Sequence, residues 1–371
     1  MELLKQKMTF DKVRGVGTIE IDFSAEKRVY VVLGENGIGK TKLLEALFVF
    51  LLATYERTKN YIIETDKLPF DSLIFKQELF TFNSSSGIKD LFPNINHQLP
   101  FIYLGAQNRG SIGQYQSSIE KLGNRAQRFY GYLDYLTGVL TKNEKYSPIK
   151  SLNMDIPMEE WFIQRAQSAN PYQSAADNRE IEIKTLLKLL NQVDKRIDAN
   201  FLEISGDNRV FLKIQEQKRA LNQLSSGFVS ILKILQSIIA GYGCFTNEYQ
   251  LDKVKGMVLI DEIESHLHNE WQVKIIPLLK ELFPNTTFII TTHSSIVLSQ
   301  LQDGEAYRMQ RDKDNVVRLH PIAQPNKTTL IDLLKDTFGV DFNQIRLERV
   351  TPDSQSDAKQ KLLDLLREKA E

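Results

Sequence analysis

A phosphate-binding loop lies between a buried strand and a buried helix near the start of the chain. Residues 29–33 are continuously apolar, as expected of a strand that is covered on both faces of a sheet. Residues 43–52 are apolar nearly all round and predict a helix buried beneath that sheet. Between them the sequence fits the pattern G-x-x-x-x-G-K-[ST] at every fixed position, with Gly34, Glu35, Asn36, Gly37, Ile38, Gly39, Lys40 and Thr41. This order of elements predicts an α/β protein that binds a nucleotide.

Each fixed position of the loop has a chemical task. The glycines let successive backbone N–H groups converge on phosphate oxygens, and Lys40 can reach the β- and γ-phosphates. Thr41 supplies a hydroxyl to Mg²⁺. The loop therefore predicts a nucleoside triphosphate bound together with magnesium.

A pair of carboxylates follows a second buried strand. Residues 256–260 are apolar and end at Asp261 and Glu262. The carboxyl end of a parallel strand is where phosphate-loop enzymes hold their magnesium. We expect Asp261 to hold the metal through water and Glu262 to polarise the attacking water as general base. The alternative is a pair of solvated carboxylates that close a strand.

A third strand, residues 286–291, leads to His293. A histidine at this edge of a sheet can hydrogen-bond the γ-phosphate and so report its presence. A lone histidine in such a place is more often structural. The phosphate loop and the acidic pair in the same chain favour the functional interpretation.

The tetrapeptide Leu224, Ser225, Ser226 and Gly227 opens a segment with apolar residues at helical spacing. The amino end of a helix has unpaired N–H groups and a positive dipole, which together attract anions. These residues predict either an anion site or an ordinary helix cap.

Together these elements resemble the head of an ABC-type ATPase, with Walker A at 34–41, the signature at 224–227, Walker B at 261–262 and the switch histidine at His293. Residues 261–268 read D-E-x-E-x-x-L-H, which is similar to the SMC, RecF, OLD-type and Septu-like branch rather than to the Asp-Glu-Pro of transporter subunits. The resemblance implies an α/β fold class, a P-loop ABC-type head with a mixed sheet core and an inserted helical lobe that carries the signature.

The family also implies a head-to-tail homodimer, in which Ser225, Ser226 and Gly227 of one protomer close on the ATP held by Walker A of the other. A glutamine after a strand of the first lobe touches Mg²⁺ in this family. Gln107 is the best match here, and Gln114 and Gln116 are alternatives. Residues 265–268 correspond to the family's D-loop. Their histidines, His266 and His268, could instead suggest zinc, but no cysteine or further histidine lies near them in sequence.

The long interval before the signature lacks sustained heptads, so we expect no coiled-coil arms. It predicts helices at 157–166 and 181–197 and a strand pair at 201–204 and 210–214. After His293 we expect a hairpin and a helix at 329–337. The expected domains are the first part of the nucleotide-binding lobe (1–108), the helical lobe (109–245), the second part of the nucleotide-binding lobe (246–345) and a charged tail (346–371).

Charge does not identify a partner, because 47 lysine and arginine residues balance 47 aspartate and glutamate residues. Segment 109–150 mixes basic and tyrosine side chains, which predicts either contact with DNA or RNA or a solvated helix face over a tyrosine core. Its members are Arg109, Lys121, Arg125, Arg128, Lys142, Lys145 and Lys150 with Tyr115, Tyr130, Tyr132 and Tyr135. One cysteine, Cys244, and no secretory signal favour the cytoplasm. The longest apolar run, 46–53, is too short for a membrane helix, so we expect no membrane.

OLD-type proteins continue into a Toprim nuclease domain, for which residues 294–371 are too few. Asp312 and Asp314 lie in the predicted hairpin turn, where aspartates are ordinary turn formers. We therefore expect an ATPase that senses or acts on nucleic acid and regulates a separately encoded effector, such as a nuclease, in anti-phage defence. The alternatives are a DNA-repair ATPase that acts directly on DNA and the ATP-binding subunit of a transporter.

Overall fold

The computed structural model describes residues 2–23, 25–61, 67–82, 91–112, 119–140 and 149–327. The predicted helix at 329–337 and the charged tail lie outside the described residues, as do Gln114 and Gln116. The same holds for three members of the basic and tyrosine segment, Tyr115, Lys142 and Lys145.

Ten strands form one mixed sheet, in the order β5-β4-β1-β2-β13-β12-β3-β11-β10-β6. Three more form a separate antiparallel sheet, β7-β8-β9. The strands are β1 (Met8–Val13), β2 (Gly17–Ile21), β3 (Val29–Leu33), β4 (Ser72–Phe75), β5 (Glu78–Thr81), β6 (Phe101–Leu104), β7 (Ile197–Ile204), β8 (Val210–Ile214), β9 (Gln217–Ala220), β10 (Gly256–Ile260), β11 (Thr286–Thr291), β12 (Ala306–Arg311) and β13 (Val317–Pro321).

Strands β6, β10, β11, β3 and β12 run parallel to one another. All residues of β3, β10, β11 and β6 are buried, as expected for parallel strands covered by helices on both faces. Their carboxyl ends therefore meet at a single edge of the sheet. The predicted α/β class with a mixed sheet core is confirmed.

The α-helices are α1 (Lys40–Thr54), α2 (Arg125–Gly138), α3 (Met158–Gln167), α4 (Glu180–Val193), α5 (Ser226–Phe245), α6 (Asn269–Leu282) and α7 (Ser295–Leu298). Short 3-10 turns lie at Glu2–Lys5, Glu56–Thr58, Ile149–Ser151, Leu221–Gln223 and Leu251–Lys253. Side chains of β3 alternate between the two hydrophobic cores: Tyr30 and Val32 pack on the α1 side, and Val29 and Val31 pack on the α5 side. Helix α1 is buried nearly all round, as its sequence predicts.

Helices α2 to α5 and the three-stranded sheet lie within residues 109–245, the segment predicted as the helical lobe. The predicted strand pair is present, and the sequence interpretation missed its third strand, β9. The predicted helix at 181–197 was too long, because Asp194 accepts hydrogen bonds from Arg196 and reverses the chain into β7. A buried carboxylate ties α3 to α4: Glu182 accepts bonds from both Arg165 and Arg179 at 2.8 Å.

Helix α5 is the only helix among the described residues with the length and composition to cross a membrane. It is buried inside the protein, where its apolar side chains belong to the core shared with β3, β6 and β10. We therefore interpret α5 as a core helix.

Candidate nucleotide site

Chain segments with predicted functional residues converge at the carboxyl edge of the parallel strands. The phosphate loop follows β3, Asp261 and Glu262 follow β10, and His293 lies two residues after the end of β11. The ladders β3-β11 and β11-β10 bring these strand ends side by side. Two further backbone bonds continue across this edge, from Thr292 N to Val32 O at 3.1 Å and from Ile263 N to Thr291 O at 3.1 Å.

The phosphate loop needs its glycines for both conformation and space. Gly34 and Gly39 have φ values of +155° and +109°, which favour glycine. A Cβ on Gly34 would lie 2.5 Å from the Met309 carbonyl oxygen, and one on Gly39 would lie 2.7 Å from Val16. Neighbouring residues therefore leave room only for glycine at both positions, in agreement with the pattern G-x-x-x-x-G-K-[ST].

Lys40, the first residue of α1, lies across the loop. Its Nζ donates to the carbonyl oxygens of Gly34 at 2.8 Å and Glu35 at 2.9 Å. Burial lowers the pKa of Lys40 to about 8, although Glu264, Asp261 and Glu262 oppose that shift. The ammonium is thus held where a phosphate bound in the loop would meet it.

Thr41 and Asp261 are in direct contact at the position expected for a metal. The Thr41 hydroxyl donates to Asp261 Oδ2 at 3.0 Å, and Thr291 Oγ1 donates to Asp261 Oδ1 at 2.6 Å. Burial raises the pKa of Asp261, and the bonds from Thr291 and Thr41 oppose that rise. A hydroxyl and a carboxylate are oxygen ligands of the kind that Mg²⁺ prefers, so these residues fit the predicted ion.

Glu262 has a left-handed backbone, with φ +45°. Its N–H donates to Thr291 Oγ1 at 2.9 Å, and its Oε2 accepts from Ser265 Oγ at 3.2 Å. A non-glycine residue in this conformation is strained, and such strain persists only where neighbouring groups fix the backbone. The bonds with Thr291 and Ser265 fix both the backbone and the carboxylate of Glu262 next to Asp261.

Arg109 holds the backbone of Glu262 in place, a role that the sequence did not predict. Its guanidinium is fully buried and donates to three carbonyl oxygens, those of Gly105 (2.7 Å), Asp261 (2.8 Å) and Glu262 (2.7 Å). Arg109 therefore ties the end of β6 to the end of β10. Burial excludes Arg109 from the nucleic-acid contact that was one of two interpretations of segment 109–150, and Arg128 and Tyr132 of the same segment are buried as well.

We expect the variant Arg109→Met to lose about 2–4 kcal/mol of stability, because it leaves buried carbonyl oxygens without donors. Chemical denaturation measures the loss. Arg209→Met is the matched control, since Arg209 makes an exposed ion pair with Asp207 and its removal should cost less than about 1 kcal/mol. Equal denaturation midpoints for the two variants would contradict the role of Arg109.

Glu264 fixes the backbone that carries the predicted switch histidine. Its carboxylate accepts from the His293 N–H at 2.6 Å and from Thr292 Oγ1 at 2.7 Å. The His293 side chain is half-buried, and burial together with nearby Lys40 lowers its pKa. In either protonation state the imidazole keeps an N–H that can donate a hydrogen bond to a phosphate oxygen. From the sequence, Glu264 was noted only as one residue of the D-E-x-E-x-x-L-H motif, without a role of its own.

The signature begins helix α5 as predicted. Ser225 is the N-cap, and its side chain accepts from Phe228 N at 3.3 Å. The Ser225 and Ser226 side chains are exposed, whereas Gly227 is buried against the D-loop of the same chain. A Cβ on Gly227 would lie 3.3 Å from the His268 ring. Ser230 Oγ donates to the Ser265 carbonyl at 3.1 Å, and this hydrogen bond links α5 to residues 265–268.

The assignment of Gln107 to Mg²⁺ stays a prediction, and the described residues give no support to the zinc alternative at His266 and His268. Gln107 follows β6 at the correct edge of the sheet, and its side chain is exposed. His266 and His268 are exposed, and His266 has φ +65°. Within the described ranges no group of three or more histidine, cysteine, aspartate or glutamate side chains is arranged to hold a metal ion.

The pKa of Lys40 predicts a pH dependence of ATP affinity. With a pKa of about 8, the ammonium that pairs with phosphate is lost as the pH rises above 8, whereas an ordinary lysine keeps its proton to about pH 10.4. Because binding then requires uptake of one proton, we expect ATP affinity to fall by up to about tenfold per pH unit above pH 8. Calorimetric titrations from pH 7 to 9.5 measure this, with a thermal melt at each pH as the folding control. Constant affinity across that range would contradict the assignment.

Comparisons with known proteins place these features in a family. Residues 29–299 match the family described as AAA domain, putative AbiEii toxin, Type IV TA system. The chain is 29% identical to a Septu protein PtuA from Bacillus mycoides (strain KBAB4) over 81% of this chain and 39% of the relative. It is 24% identical to a Septu protein PtuA from Bacillus thuringiensis over 91% of this chain and 85% of the relative.

A third relative is a retron Ec83 probable ATPase from Escherichia coli, 22% identical over 76% of this chain and 67% of the relative. The chain spans about two fifths of the length of its Bacillus mycoides relative. The family match covers most of the chain and includes the phosphate loop, the signature segment, the acidic pair and His293. The chain therefore belongs to the family of AAA-domain ATPases described as putative AbiEii toxin, Type IV TA system.

Proposed function

We propose that this ATPase hydrolyses ATP with Mg²⁺ at the edge formed by β3, β10 and β11. The observation that carries the proposal is the direct contact between Thr41 and Asp261, with Glu262 next in the chain. Residues far apart in sequence would thus supply a hydroxyl and a carboxylate for magnesium and the base that phosphoryl transfer to water needs.

Each residue has a separate role in this proposal. The loop N–H groups and Lys40 bind the phosphates, while Thr41 and Asp261 hold Mg²⁺, with Gln107 as a further ligand. The metal would neutralise charge on the phosphates. Glu262 accepts a proton from the attacking water, and His293 donates a hydrogen bond to the γ-phosphate. Arg109 and Glu264 keep the backbones of Glu262 and His293 in place.

We further propose that ATP joins two protomers head to tail. Exposed serines at the amino end of α5 support this, because Ser225 and Ser226 are available to a second chain. Residues 1–108 and 246–345 would then form the nucleotide-binding lobe, and 109–245 the helical lobe that reaches the partner. The positive end of the α5 dipole would face the γ-phosphate held by the other protomer.

The biological setting we propose is anti-phage defence in the cytoplasm. Similarity to Septu proteins PtuA and to a retron probable ATPase supports it. In this proposal ATP binding and hydrolysis regulate a separately encoded effector, such as a nuclease, in response to nucleic acid. A DNA-repair ATPase that acts directly on DNA is the second candidate, because the same site would serve it.

The first test compares the wild-type chain with Lys40→Ala. We expect the variant to lose measurable ATP binding and hydrolysis, because the phosphates lose a charge-assisted partner in the loop. Lys184→Ala is the control, since Lys184 is exposed on α4 and its ion pair with Glu180 lies at the surface. Normal ATP affinity in Lys40→Ala would overturn the assignment of the site.

The same assay separates the two settings. The ATPase rate is measured with duplex, single-stranded and nicked DNA, without any other protein. Strong stimulation by DNA alone supports direct action in repair. A rate that responds only after the effector is added supports regulation of an effector.

A further inference from the structure

A second cavity lies at the opposite edge of the molecule from the ATP site. Its volume is about 500 Å³, within the range of small-ligand sites. It is lined by Tyr55, Arg57, Gln98, Arg125, Ala126, Phe129, Tyr130 and Phe245, here called the aromatic pocket. Gln98 precedes β6, so the pocket lies at the amino edge of the parallel strands.

The aromatic rings of the pocket form a connected cluster. Tyr55 and Phe245 are buried in its floor, with ring centroids 5.4 Å apart. Phe129 packs 6.1 Å from Phe245 and meets Tyr130 edge to face, at 5.2 Å and 76°. The Tyr130 side chain is 47% exposed, so a flat group can lie against its ring. The floor is therefore fixed, and the rim offers an open aromatic face.

Positive charge borders the same cavity. The side chains of Arg57 and Arg125 are exposed and make no ion pair or hydrogen bond with other described residues. Among the described residues no carboxylate lines the pocket itself, although Glu56 accepts a hydrogen bond from the lining Gln98. Arg125 is the first residue of α2, and its backbone N–H donates to Asp177 Oδ1 at 3.1 Å, so the positive charge at the pocket comes from the two guanidinium groups. An occupant that matches the pocket carries a negative charge next to a flat ring.

We propose that the aromatic pocket binds a nucleotide, with its base against Tyr130 and Phe129 and its phosphate between Arg57 and Arg125. Aromatic faces that take bases of any sequence, beside cations that take the phosphates, are the features of single-strand binding sites. The nucleotide can belong to a single-stranded nucleic acid or be free in solution. The aromatic pocket would be the place where the ATPase binds the nucleic acid to which it responds. This proposal therefore rests on the proposed function.

The pocket is positioned to influence ATP hydrolysis. Helix α1 begins at Lys40 of the phosphate loop and ends beside Tyr55, about 22 Å away. Helix α5 begins at Ser226 of the signature and ends at Phe245. Both helices are buried along nearly their whole length, so each transmits a displacement at one end to the other. A bound nucleotide therefore contacts the far ends of both ATP-binding helices.

The test measures binding in a Lys40→Ala background, which keeps the probes out of the phosphate loop. Fluorescence anisotropy measures the binding of a labelled oligothymidylate of ten nucleotides, and unlabelled thymidine monophosphate is added as a competitor. We expect Tyr130→Ala to weaken binding about tenfold, through loss of one stacking face. We expect the double variant Arg57→Gln with Arg125→Gln to weaken binding and to reduce the slope of log affinity against log salt by about 1.4.

Two matched controls keep the outcome specific. Tyr172→Ala removes a tyrosine that is 98% exposed elsewhere on the helical lobe. The double variant Lys184→Gln with Lys188→Gln removes two exposed positive charges from α4. Both should bind the oligonucleotide like the parent protein. Full competition by thymidine monophosphate identifies a free nucleotide as sufficient, and weak competition identifies the strand as the ligand.

Absence of binding, or equal affinities for the pocket variants and their controls, would overturn the proposal. Pocket-dependent binding of an acidic aromatic peptide, with none of the oligonucleotide, would also overturn it and indicate a protein partner. The ATPase rate of the wild-type chain is measured in parallel. A normal rate without nucleotide binding rejects only the aromatic pocket, whereas no ATPase activity rejects the proposed function itself.

Discussion

The variant Glu262→Gln should bind ATP like the wild-type chain and hydrolyse it at least about a hundredfold more slowly, because the amide cannot accept the proton of the attacking water. The geometry should survive the change. The backbone at residue 262 is fixed by Arg109 and Thr291, and the amide oxygen can still accept from Ser265. Calorimetry measures the binding and phosphate release measures the rate.

A stable dimer should accumulate when Glu262→Gln is given ATP, and a sizing column detects it. Glu203→Gln is the control, because Glu203 lies on the separate three-stranded sheet and pairs with Lys218 at the surface. That variant should hydrolyse ATP at the wild-type rate. If Glu262→Gln also does so, the general base is another residue.

Two inactive variants should partly restore ATPase activity when they are mixed, if each site is shared between two chains. One is Lys40→Ala, which removes the phosphate contact. The other is Ser226→Asp, which adds a negative charge at the exposed first residue of α5. Two like unit charges 4 Å apart near a protein surface repel by about 4 kcal/mol, so this carboxylate should prevent docking on the γ-phosphate.

The choice of position 226 follows from the packing of the signature. An aspartate in place of Gly227 would press on the His268 ring of its own chain and confuse the result. An aspartate in the first turn of a helix is favoured by the dipole, so Ser226→Asp should fold normally. Gln217→Glu adds the same charge on an exposed residue of β9 and should stay active.

A mixed dimer has one site with both defects and one intact site, so we expect partial rather than full recovery. Each variant alone, at the same total concentration, gives the background rate. Cross-linking confirms that mixed dimers form. Background activity in the mixture, with mixed dimers present, would reject the shared site and favour a monomeric phosphate-loop enzyme.

Much of the nucleotide site could be predicted because its chemistry is local in sequence. The phosphate loop, the acidic pair and their strands are short segments whose pattern fixes both conformation and position at one sheet edge. Strands β3, β10 and β11 have the predicted bounds for the same reason, since continuous apolar runs leave little choice of ends.

The missed features depend on contacts between distant segments. In the sequence, Arg109 is one of several basic residues in its segment. It becomes a buried donor to the Asp261 and Glu262 carbonyls only because β6 pairs with β10. The aromatic pocket likewise combines side chains that follow α1 or precede β6 with side chains of α2 and α5. No local sequence pattern predicts either arrangement.

The three carbonyl bonds of Arg109 also suggest a way to recognise distant relatives. A planar guanidinium can reach oxygens of two chain segments at once, whereas the single ammonium of a lysine cannot reproduce that fork. We expect chains with the same strand junction to keep an arginine four residues after the glycine that follows the β6-like strand, as in Gly105 and Arg109 here. That spacing, searched together with an acidic pair after a buried strand, would find this junction where overall identity is too low to align.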